Sequence, residues 1–354
     1  MSRPRLLITG AGGFCGEHAC RHFAAEGWEV VAAVRRLPEP GEAEWLNDVR
    51  ETVRCDLGSR YETERLLERA KPDYVLHLAG MNAVGPSWSD PAAVMESNVM
   101  GTIHLLEAVR RVSGIGGGGL RPAAGVPAPG ASGNAGGNDA AATAGSVPTA
   151  RPASGVRVVV AGSMLRFPLP APGCRPAPPH PYSLSKTVQV LAAQSWATLY
   201  GMDIIVAEPS NLIGPGRSTG LCALIARYAA AAERADAGVK PFRLSSRTER
   251  RDLLDVRDAI RAYAVLLERG ERGHVYPVAS GVMRTLGELA DCFDRQSLRP
   301  LAWEVGQSDA PSPEPADVSA IIALGWRPLF SLERSLGDAL DYARQFKETI
   351  DRRA

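Results

Sequence analysis

The sequence predicts an α/β fold, in which a doubly wound parallel sheet is followed by a smaller mixed α/β lobe in the C-terminal part. Two observations support this prediction. Short apolar runs typical of buried strands alternate with helix-like segments, an arrangement that favours right-handed βαβ crossovers. A glycine-rich turn interrupts the first apolar run, in the stretch L-L-I-T-G-A-G-G-F-C-G. Together they indicate a Rossmann-type sheet, which binds ligands at the carboxyl ends of its strands.

Composition indicates a globular protein and excludes several classes of partner. The chain has 354 residues, 45% of them hydrophobic, and a formal net charge of +1. No overall charge therefore draws it to nucleic acid or to an anionic membrane. The cysteines lack C-x-x-C pairing and the histidines lack metal-ligand spacing, so we expect a cytoplasmic protein without disulfides or a metal. No apolar run reaches the ~18 residues of a membrane span, and no signal peptide is expected.

The glycine-rich turn is a candidate cradle for a dinucleotide. The run Leu6–Ile8 is a predicted buried strand, and Gly10, Gly13 and Gly16 lead into a helix-like segment over 17–26. Glycines allow a tight turn and a close approach to a pyrophosphate, while N–H groups at the helix N-terminus point at the phosphates. The spacing is G-x-x-G-x-x-G instead of G-x-G-x-x-G, and a plain structural turn is the alternative.

The ends of the second and third strands bear on the choice of cofactor. The predicted strand Trp28–Val34 ends in Arg35-Arg36, with no carboxylate. An acidic residue there would bind the ribose 2′-hydroxyl of NAD, whereas an arginine suits the 2′-phosphate of NADP. We therefore expect NADP(H) to be preferred and NAD(H) to be possible, with solvated arginines as the alternative. Asp56 closes the third strand, where it can accept from the adenine amino group.

The fourth strand and the helix after it approach the same edge. The turn Ala79-Gly80 follows the predicted strand Tyr74–Leu78 and is expected to lie against the cofactor. The helix over about 91–112 carries Asn98 on a mainly apolar stripe. Such an amide is usually a satisfied core group, and here it is also a candidate for ordering a proton-relay water.

The segment Ser113–Gly155 breaks the pattern. It consists almost wholly of Gly, Ala, Pro, Ser and Thr, which bury too little surface to offset the cost of ordering. Because Val156–Ala161 resumes the strand pattern, we predict a disordered insertion within one domain.

A candidate catalytic trio lies in the part of the chain that follows the insertion. Ser163 follows a predicted strand, and Tyr182 and Lys186 stand four apart on one face of a predicted helix, in P-Y-S-L-S-K. A neighbouring ammonium favours the phenolate and would lower the pKa of Tyr182, so that it can transfer a proton at a substrate oxygen. An ordinary helix surface is the alternative for Tyr-x-x-x-Lys taken alone.

Several motifs occur in the order found in a known family: T-G-A-G-G-F-C-G, C-D-L, H-L-A-G, S-N-V-M-G-T and P-Y-S-L-S-K. They resemble those of the extended short-chain dehydrogenase/reductases that act on nucleotide sugars. The later motifs Y-G-M-D-I-I, N-L-I-G-P-G, R-D-L-L-D-V-R-D and L-G-W-R-P resemble the members that reduce a GDP-linked 4-keto sugar. The sequence departs from the family pattern at three places. It has Phe167-Pro168 in place of a Tyr-Gly pair, Glu208 in place of an arginine, and no arginine near residue 310.

The resemblance implies roles for individual positions. Ser163, Tyr182 and Lys186 would be catalytic, with Ser163, Asn211 and Arg251 contacting a nucleotide-sugar substrate. With Arg35, which is included because it follows the second strand, the expected cofactor-binding residues are Gly10, Gly13, Phe14, Gly16, Arg35, Asp56, Leu57, Leu78, Ala79, Gly80, Asn98 and Lys186. A homodimer is implied through the helices Met95–Val109 and Thr187–Leu199.

The expected organisation follows from these roles. Residues 1–211 would form the dinucleotide-binding domain, to which 251–278 returns, and 212–250 with 279–354 would form the substrate lobe. The expected function is NADP(H)-dependent reduction of a 4-keto nucleotide sugar, with nucleotide-sugar epimerisation as one alternative and a cofactor-sensing or scaffold protein with lapsed catalysis as another. Dehydration is not expected, because Met164 and Leu165 follow Ser163 where dehydratases have acidic residues.

Overall fold

The structure is a computed structural model that describes residues 3–38, 43–115, 155–234, 239–308 and 312–345. Most of the predicted disordered insertion, 116–154, lies outside the described residues. The strands in the described ranges are β1 (Arg5–Thr9), β2 (Glu29–Val34), β3 (Glu51–Arg54), β4 (Tyr74–His77), β5 (Arg157–Ala161), β6 (Ile204–Pro209), β7 (Asn211–Ile213), β8 (Phe242–Leu244), β9 (Arg250–Asp255), β10 (Val275–Val278), β11 (Met283–Thr285) and β12 (Trp303–Val305).

The helices in the same ranges are α1 (Phe14–Ala25), α2 (Arg60–Ala70), α3 (Val84–Ser89), α4 (Pro91–Met95), α5 (Gly101–Val112), α6 (Pro181–Leu199), α7 (Leu221–Arg234), α8 (Val256–Arg269), α9 (Leu286–Gln296), α10 (Ser319–Ala323) and α11 (Leu332–Gln345). A 3-10 turn, Glu44–Asn47, precedes β3, and a π-helical turn, Glu96–Met100, joins α4 to α5.

A seven-stranded parallel sheet forms the centre of the molecule, in the order β10-β6-β5-β4-β1-β2-β3. The chain order reverses between β1 and β4, where Thr9 pairs with Ala33 on one side and with His77 on the other. Sheets of this topology bind ligands at that reversal, outside the carboxyl ends of the strands. The predicted Rossmann-type fold is confirmed.

Two apolar cores cover the sheet, and the strand sequence decides which residue enters which. Leu6 and Ile8 of β1 pack into the core shared with α1 and α8, whereas Leu7 packs into the core shared with α2, α5 and α6. Successive side chains of a strand point to opposite faces, so a continuous apolar run such as R-L-L-I-T fits a strand buried on both sides.

The smaller part is built from two short sheets and a third apolar core. Strands β11, β9 and β7 form one sheet, β12 and β8 the other, and α7, α9 and α11 contribute most of the core. Of the segment expected to return to the large sheet, α8 and β10 do so, but β9 pairs only within the small sheet. Ile321 and Trp326 pack into the same core as α1, although the sequence assigned them to the lobe. The division into domains stays a prediction.

Candidate active site

The glycine-rich loop leaves a bare backbone between β1 and α1. Gly10 has φ +71°, and a Cβ there would lie 2.6 Å from the backbone nitrogen of Ala79. A Cβ at Gly16 would lie 2.2 Å from the carbonyl oxygen of Gly10. Gly13 is the N-cap of α1 and Phe14 its first residue, and no side chain caps the N-terminal N–H groups. These groups and the space that side chains would fill fit the pyrophosphate of a dinucleotide.

The ends of β2 and β3 flank this loop. Arg35 directly follows β2 and is exposed, and a Cβ at Gly12 would lie 3.6 Å from Cγ1 of the preceding Val34. Asp56 is also exposed, and Oδ1 of its carboxylate accepts from the backbone N–H two residues later, at 2.9 Å. Leu57 lies partly buried against the second core. The structure thus brings the cationic and anionic candidates to the strand ends beside the loop.

The end of β4 meets the π-helical turn. β4 leads into the predicted cofactor-lining residues Leu78, Ala79 and Gly80, all partly exposed. Asn98 is fully buried: its Oδ1 accepts from Met81 N at 2.7 Å, and its Nδ2 donates to Met81 O at 3.0 Å and Ser185 Oγ at 2.9 Å. Both amide hydrogens are therefore used within the protein. This arrangement matches the satisfied core amide weighed from the sequence, and a contact of Asn98 with the cofactor stays a prediction.

The three candidate catalytic residues meet at the end of β5. Ser163, Tyr182 and Lys186 are 6%, 5% and 3% exposed, and the Tyr182 hydroxyl hydrogen-bonds with Ser163. Lys186 Nζ donates to Ala161 O at 3.1 Å and to Gln189 Oε1 at 2.9 Å. It lies 6.0 Å from the centre of the Tyr182 ring. α6 carries two of the three at its start, where His180 caps the helix and Pro181 occupies its first turn.

The electrostatics of the trio differ from the sequence-based expectation. Burial raises the pKa of Tyr182, and the hydrogen bond with Ser163 opposes that rise, so the predicted lowering by Lys186 is wrong for this state of the chain. The ammonium donates instead to Ala161 and Gln189 and lies 6.0 Å from the centre of the Tyr182 ring. Burial also lowers the pKa of Lys186 to about 8. The lysine thus titrates close to neutral pH.

The predicted substrate residues lie on adjacent strands of the small sheet. Asn211 opens β7 and donates to Asp252 O on β9 at 3.0 Å. Arg251, also on β9, pairs with Glu249 at 2.6 Å. β7 begins two residues after Pro209, whose carbonyl accepts from Met164 beside Ser163 at 3.2 Å. The backbone therefore links this sheet directly to Ser163, the candidate catalytic serine.

Comparison with known proteins identifies the family of this chain. A model of the NAD dependent epimerase/dehydratase family matches residues 6–279. The chain belongs to that family. The predicted membership of the extended short-chain dehydrogenase/reductases is confirmed, and with it an enzyme that uses NAD(P) and is related to nucleotide-sugar reductases, dehydratases and epimerases.

Two curated relatives span most of the chain. GDP-6-deoxy-D-mannose reductase of Pseudomonas aeruginosa is 28% identical over 299 residues, 81% of this chain and 78% of the relative. dTDP-glucose 4,6-dehydratase of Salmonella typhimurium is 26% identical over an alignment length of 369 residues, 96% of this chain and 92% of the relative.

Two solved structures show the same fold. RMD from Pseudomonas aeruginosa complexed with NADPH has a TM-score of 0.71 at 24% identity, covering 96% of this chain and 99% of that one. UDP-glucose 4-epimerase of Thermus thermophilus in complex with NAD has a TM-score of 0.70 at 21% identity, with the same coverage of 96% and 99%.

Sequence reasoning missed an ion pair next to the serine of this epimerase/dehydratase family member. Glu208, read from the sequence only as a lost arginine, is 5% exposed at the end of β6 and forms an ion pair with Arg166. Arg166 stands three residues after Ser163, at a position for which the sequence offered no role. The two charges thus attach the serine loop to β6, and only their meeting in space identifies them as partners.

Sequence reasoning also missed buried polar groups beneath the trio. His77, quoted only within H-L-A-G, and Gln189, three residues after Lys186, are fully buried and hydrogen-bonded. The spacing of Gln189 from Lys186 on one helix face was the available signal. In the described ranges, no three His, Cys, Asp or Glu side chains are grouped to hold a metal ion, and no helix has the length and apolar character needed to cross a membrane.

Proposed function

We propose that this enzyme is an NADP(H)-preferring reductase of a 4-keto nucleotide sugar whose nucleotide is GDP. The observation that carries the proposal is the meeting of Ser163, Tyr182 and Lys186 beside the glycine-rich loop, with no acid or base following the serine. Met164 and Leu165 occupy those positions, and Leu165 is 47% exposed. A proton donor without an additional acidic pair suits addition of hydride and proton to a ketone better than elimination of water.

The protein side of the reaction follows from the trio. NADPH, when bound, supplies the hydride to the keto carbon. Ser163 holds the keto oxygen and Tyr182 gives it a proton, since the two nearly buried side chains interact with each other at the end of β5. Lys186 has three N–H groups and donates two within the protein, so one remains for the nicotinamide ribose. All three side chains are nearly buried, which would limit the access of water to the reacting oxygen.

The proposed preference for NADP(H) depends on Arg35. Its exposed guanidinium follows β2, beside the loop that fits the pyrophosphate, where a 2′-phosphate of the adenosine ribose would be met. The relative of known structure that was solved with NADPH supports this preference, while the epimerase solved with NAD shows that the fold itself permits both.

The GDP-linked substrate is proposed from the P. aeruginosa reductase, which matches 81% of this chain. Asn211 and Arg251 would bind the nucleotide sugar from the small sheet. Epimerisation is the second candidate, because a segment matches UDP-glucose 4-epimerase of Rhizobium meliloti at 37% identity over 109 residues. An epimerase re-reduces the carbon that it has oxidised and consumes no added cofactor, which separates the two activities.

The test follows NADPH absorbance at 340 nm with GDP-4-keto-6-deoxy-D-mannose, and product formation from UDP-glucose without added cofactor. Consumption of NADPH with the first substrate supports the reductase. If only UDP-glucose is converted, epimerase activity would replace reductase activity as the proposed function. A thermal-shift screen of GDP-, UDP-, dTDP- and CDP-sugars identifies the nucleotide, since ligand at ~100 times its Kd adds about 2.7 kcal/mol of stability.

A homodimer through α5 and α6 is part of the proposal. Apolar side chains are exposed on or next to these helices, with Met100 at 42%, Leu191 at 37% and Leu199 at 69%. Light scattering at micromolar concentration should give twice the chain mass. Leu191→Arg should give the monomer, whereas the control Leu298→Arg, at a side chain 80% exposed after α9, should not. A wild-type monomer would overturn the dimer.

A further inference from the structure

A continuous chain of buried polar side chains runs beneath the catalytic lysine, from the end of β1 to α6. Thr9 Oγ1 lies 2.7 Å from His77 Nδ1, and His77 Nε2 lies 2.8 Å from Thr102 Oγ1. Gln189 Nε2 donates to the same Thr102 oxygen at 2.8 Å, and Gln189 Oε1 accepts from Lys186 at 2.9 Å. None of the five residues is more than 3% exposed. Four elements of the fold thus meet under the ammonium.

The direction of each hydrogen bond follows from the Thr102 hydroxyl. Its single hydrogen is donated to Asn98 O at 2.7 Å, on the π-helical turn. The oxygen can then only accept from its other two neighbours, Gln189 and His77. His77 must therefore carry its hydrogen on Nε2, which leaves Nδ1 to accept from the Thr9 hydroxyl. The same reasoning fixes the Gln189 amide, because its nitrogen faces Thr102 and its oxygen must face Lys186.

We propose that Gln189 and, behind it, His77 are positioning residues that hold the Lys186 ammonium in its working orientation. The carbonyl groups of Gln189 and Ala161 take two of the three N–H groups, and the third is left for the cofactor ribose. This inference rests on the proposed function in one respect only, namely that the third N–H binds the cofactor ribose. The hydrogen-bond chain itself is independent of the substrate.

The charges around Lys186 make Gln189 a sensitive position. Cys15 of α1, His77 of β4 and Tyr182 of α6 face the ammonium, and Tyr263 of α8 lies behind Cys15 and Tyr182. Burial raises the pKa of the Cys15 thiol to about 12, and burial together with Lys186 lowers the pKa of His77 to about 3. These neighbours are therefore neutral at pH 7, and no carboxylate is among them. Gln189 supplies a neutral acceptor at a place where none of these described neighbours is a counter-ion.

The first experiment measures the pKa of Lys186 by NMR of the lysine Nζ groups in the full chain, with exposed Lys71 and Lys240 as internal references. Gln189→Glu places a carboxylate against the ammonium, so the pKa of Lys186 should rise by about 1 to 3. Gln189→Met removes the acceptor at similar volume, so the pKa should fall. The alkaline limb of kcat should move in the same two directions. A role in packing alone predicts no shift, or one direction for both variants, and either result would overturn the proposal.

The matched control lies on the same helix. Gln194 donates to Gly273 O at 3.2 Å, away from the trio, so Gln194→Glu and Gln194→Met should leave the pKa of Lys186 unchanged. Shifts as large as those at position 189 would show a general effect of helix charge and contradict the assignment. If Lys186 shifts as expected in an enzyme that reduces no keto sugar, the proposed function fails and the positioning role stands.

A second measurement needs no variant. The ¹⁵N and ¹³C shifts of His77 should show a neutral ring with hydrogen on Nε2 from pH 8 down to pH 5. A ring with hydrogen on Nδ1, or one that titrates near 6.5, would break the directed chain and overturn the proposal even if every variant failed to fold.

Discussion

The polar network beneath the trio and the junction that holds the C-terminal part are stabilised by different chemistry. In the network, Thr9, His77, Thr102 and Gln189 join through neutral hydrogen bonds in full burial. At the junction the partners are charged. Neutral hydrogen bonds have a fixed direction and little dependence on salt, whereas ion pairs respond to pH and ionic strength. We therefore expect the polar network beneath the trio to depend less on ionic strength than the junction does.

The junction is concentrated at the start of α8. Asp258 is fully buried, and its Oδ2 accepts from the backbone N–H groups of Leu329 and Phe330 at 2.9 Å each. Its Oδ1 accepts from Arg261 at 2.8 Å. Arg257, paired with Asp255 at 2.7 Å, lies 3.8 Å from the centre of the Phe330 ring. The two motifs R-D-L-L-D-V-R-D and L-G-W-R-P are therefore linked in space, because Asp258, the last residue of the first motif, binds the backbone that follows the second.

The largest expected effect is at the trio. Tyr182→Phe should lower turnover with the keto sugar by about 10²- to 10⁴-fold while NADPH affinity stays near wild type, because the phenolic proton matters chiefly in the transition state. Lys186→Ala should lower both turnover and NADPH affinity, whereas Ser163→Ala should lower turnover only. Stopped-flow absorbance and cofactor titration measure the two effects. Tyr61→Phe, at a side chain 72% exposed, is the control, and full activity of Tyr182→Phe would refute the mechanism.

The second prediction concerns the junction. Asp258→Ala removes a fully buried carboxylate, the acceptor of the Leu329 and Phe330 N–H groups and the ion-pair partner of Arg261, so the free energy of unfolding should fall by about 3 kcal/mol. Asp291→Ala removes only an exposed ion pair with Arg247 and should cost less than about 1 kcal/mol. Urea unfolding of both compares them. If both variants lose the same free energy of unfolding, Asp258 contributes no more to stability than an exposed surface ion pair does.

A third prediction concerns the acid sensitivity of the polar network beneath the trio, which contains His77. Burial holds its folded pKa at about 3, below 6.5, so the unfolded chain binds more protons between these values and stability falls as pH drops below 6.5. The share lost between pH 8 and pH 5 is about 2 kcal/mol. His77→Asn should remove that share from the pH dependence of urea unfolding. His274→Asn, whose ring is 61% exposed, should leave the dependence as in wild type.

A smaller effect is expected at Arg35. Arg35→Ala should reduce NADPH affinity by roughly tenfold, as for a lost charge-assisted contact of about 1.5 kcal/mol, with NADH affinity unchanged. Fluorescence titration of both cofactors provides the measurement, and Arg36→Ala is the neighbouring control. Equal affinities for the two cofactors in wild type would remove the argument for NADP(H).

The smallest effect is expected from replacing residues 116–154 with a short Gly/Ser link. A Cβ at Gly155 would lie only 3.3 Å from Ser113, so the two ends already meet, and Ile115 packs against the second core and is retained. The melting temperature should stay within a few degrees. A large loss, measured by calorimetry, would show that this segment packs on another part of the chain or on a partner.

The sequence alone determined the features that depend on local pattern. Apolar runs such as E-V-V-A-A-V fixed the strands, Gly10 and Gly16 fixed the loop because any Cβ there meets backbone, and the spacing of Tyr182 and Lys186 fixed their common helix face. The tertiary structure alone decided which distant polar groups meet. Arg166 meets Glu208, and His77 and Gln189 approach the Thr102 hydroxyl from two other elements, so the hydrogen-bond chain behind Lys186 and the pKa values of the site depend on contacts between residues far apart in sequence. The physical reason is that burial and hydrogen-bond direction depend on every neighbour in space, whereas periodicity reports only neighbours in sequence.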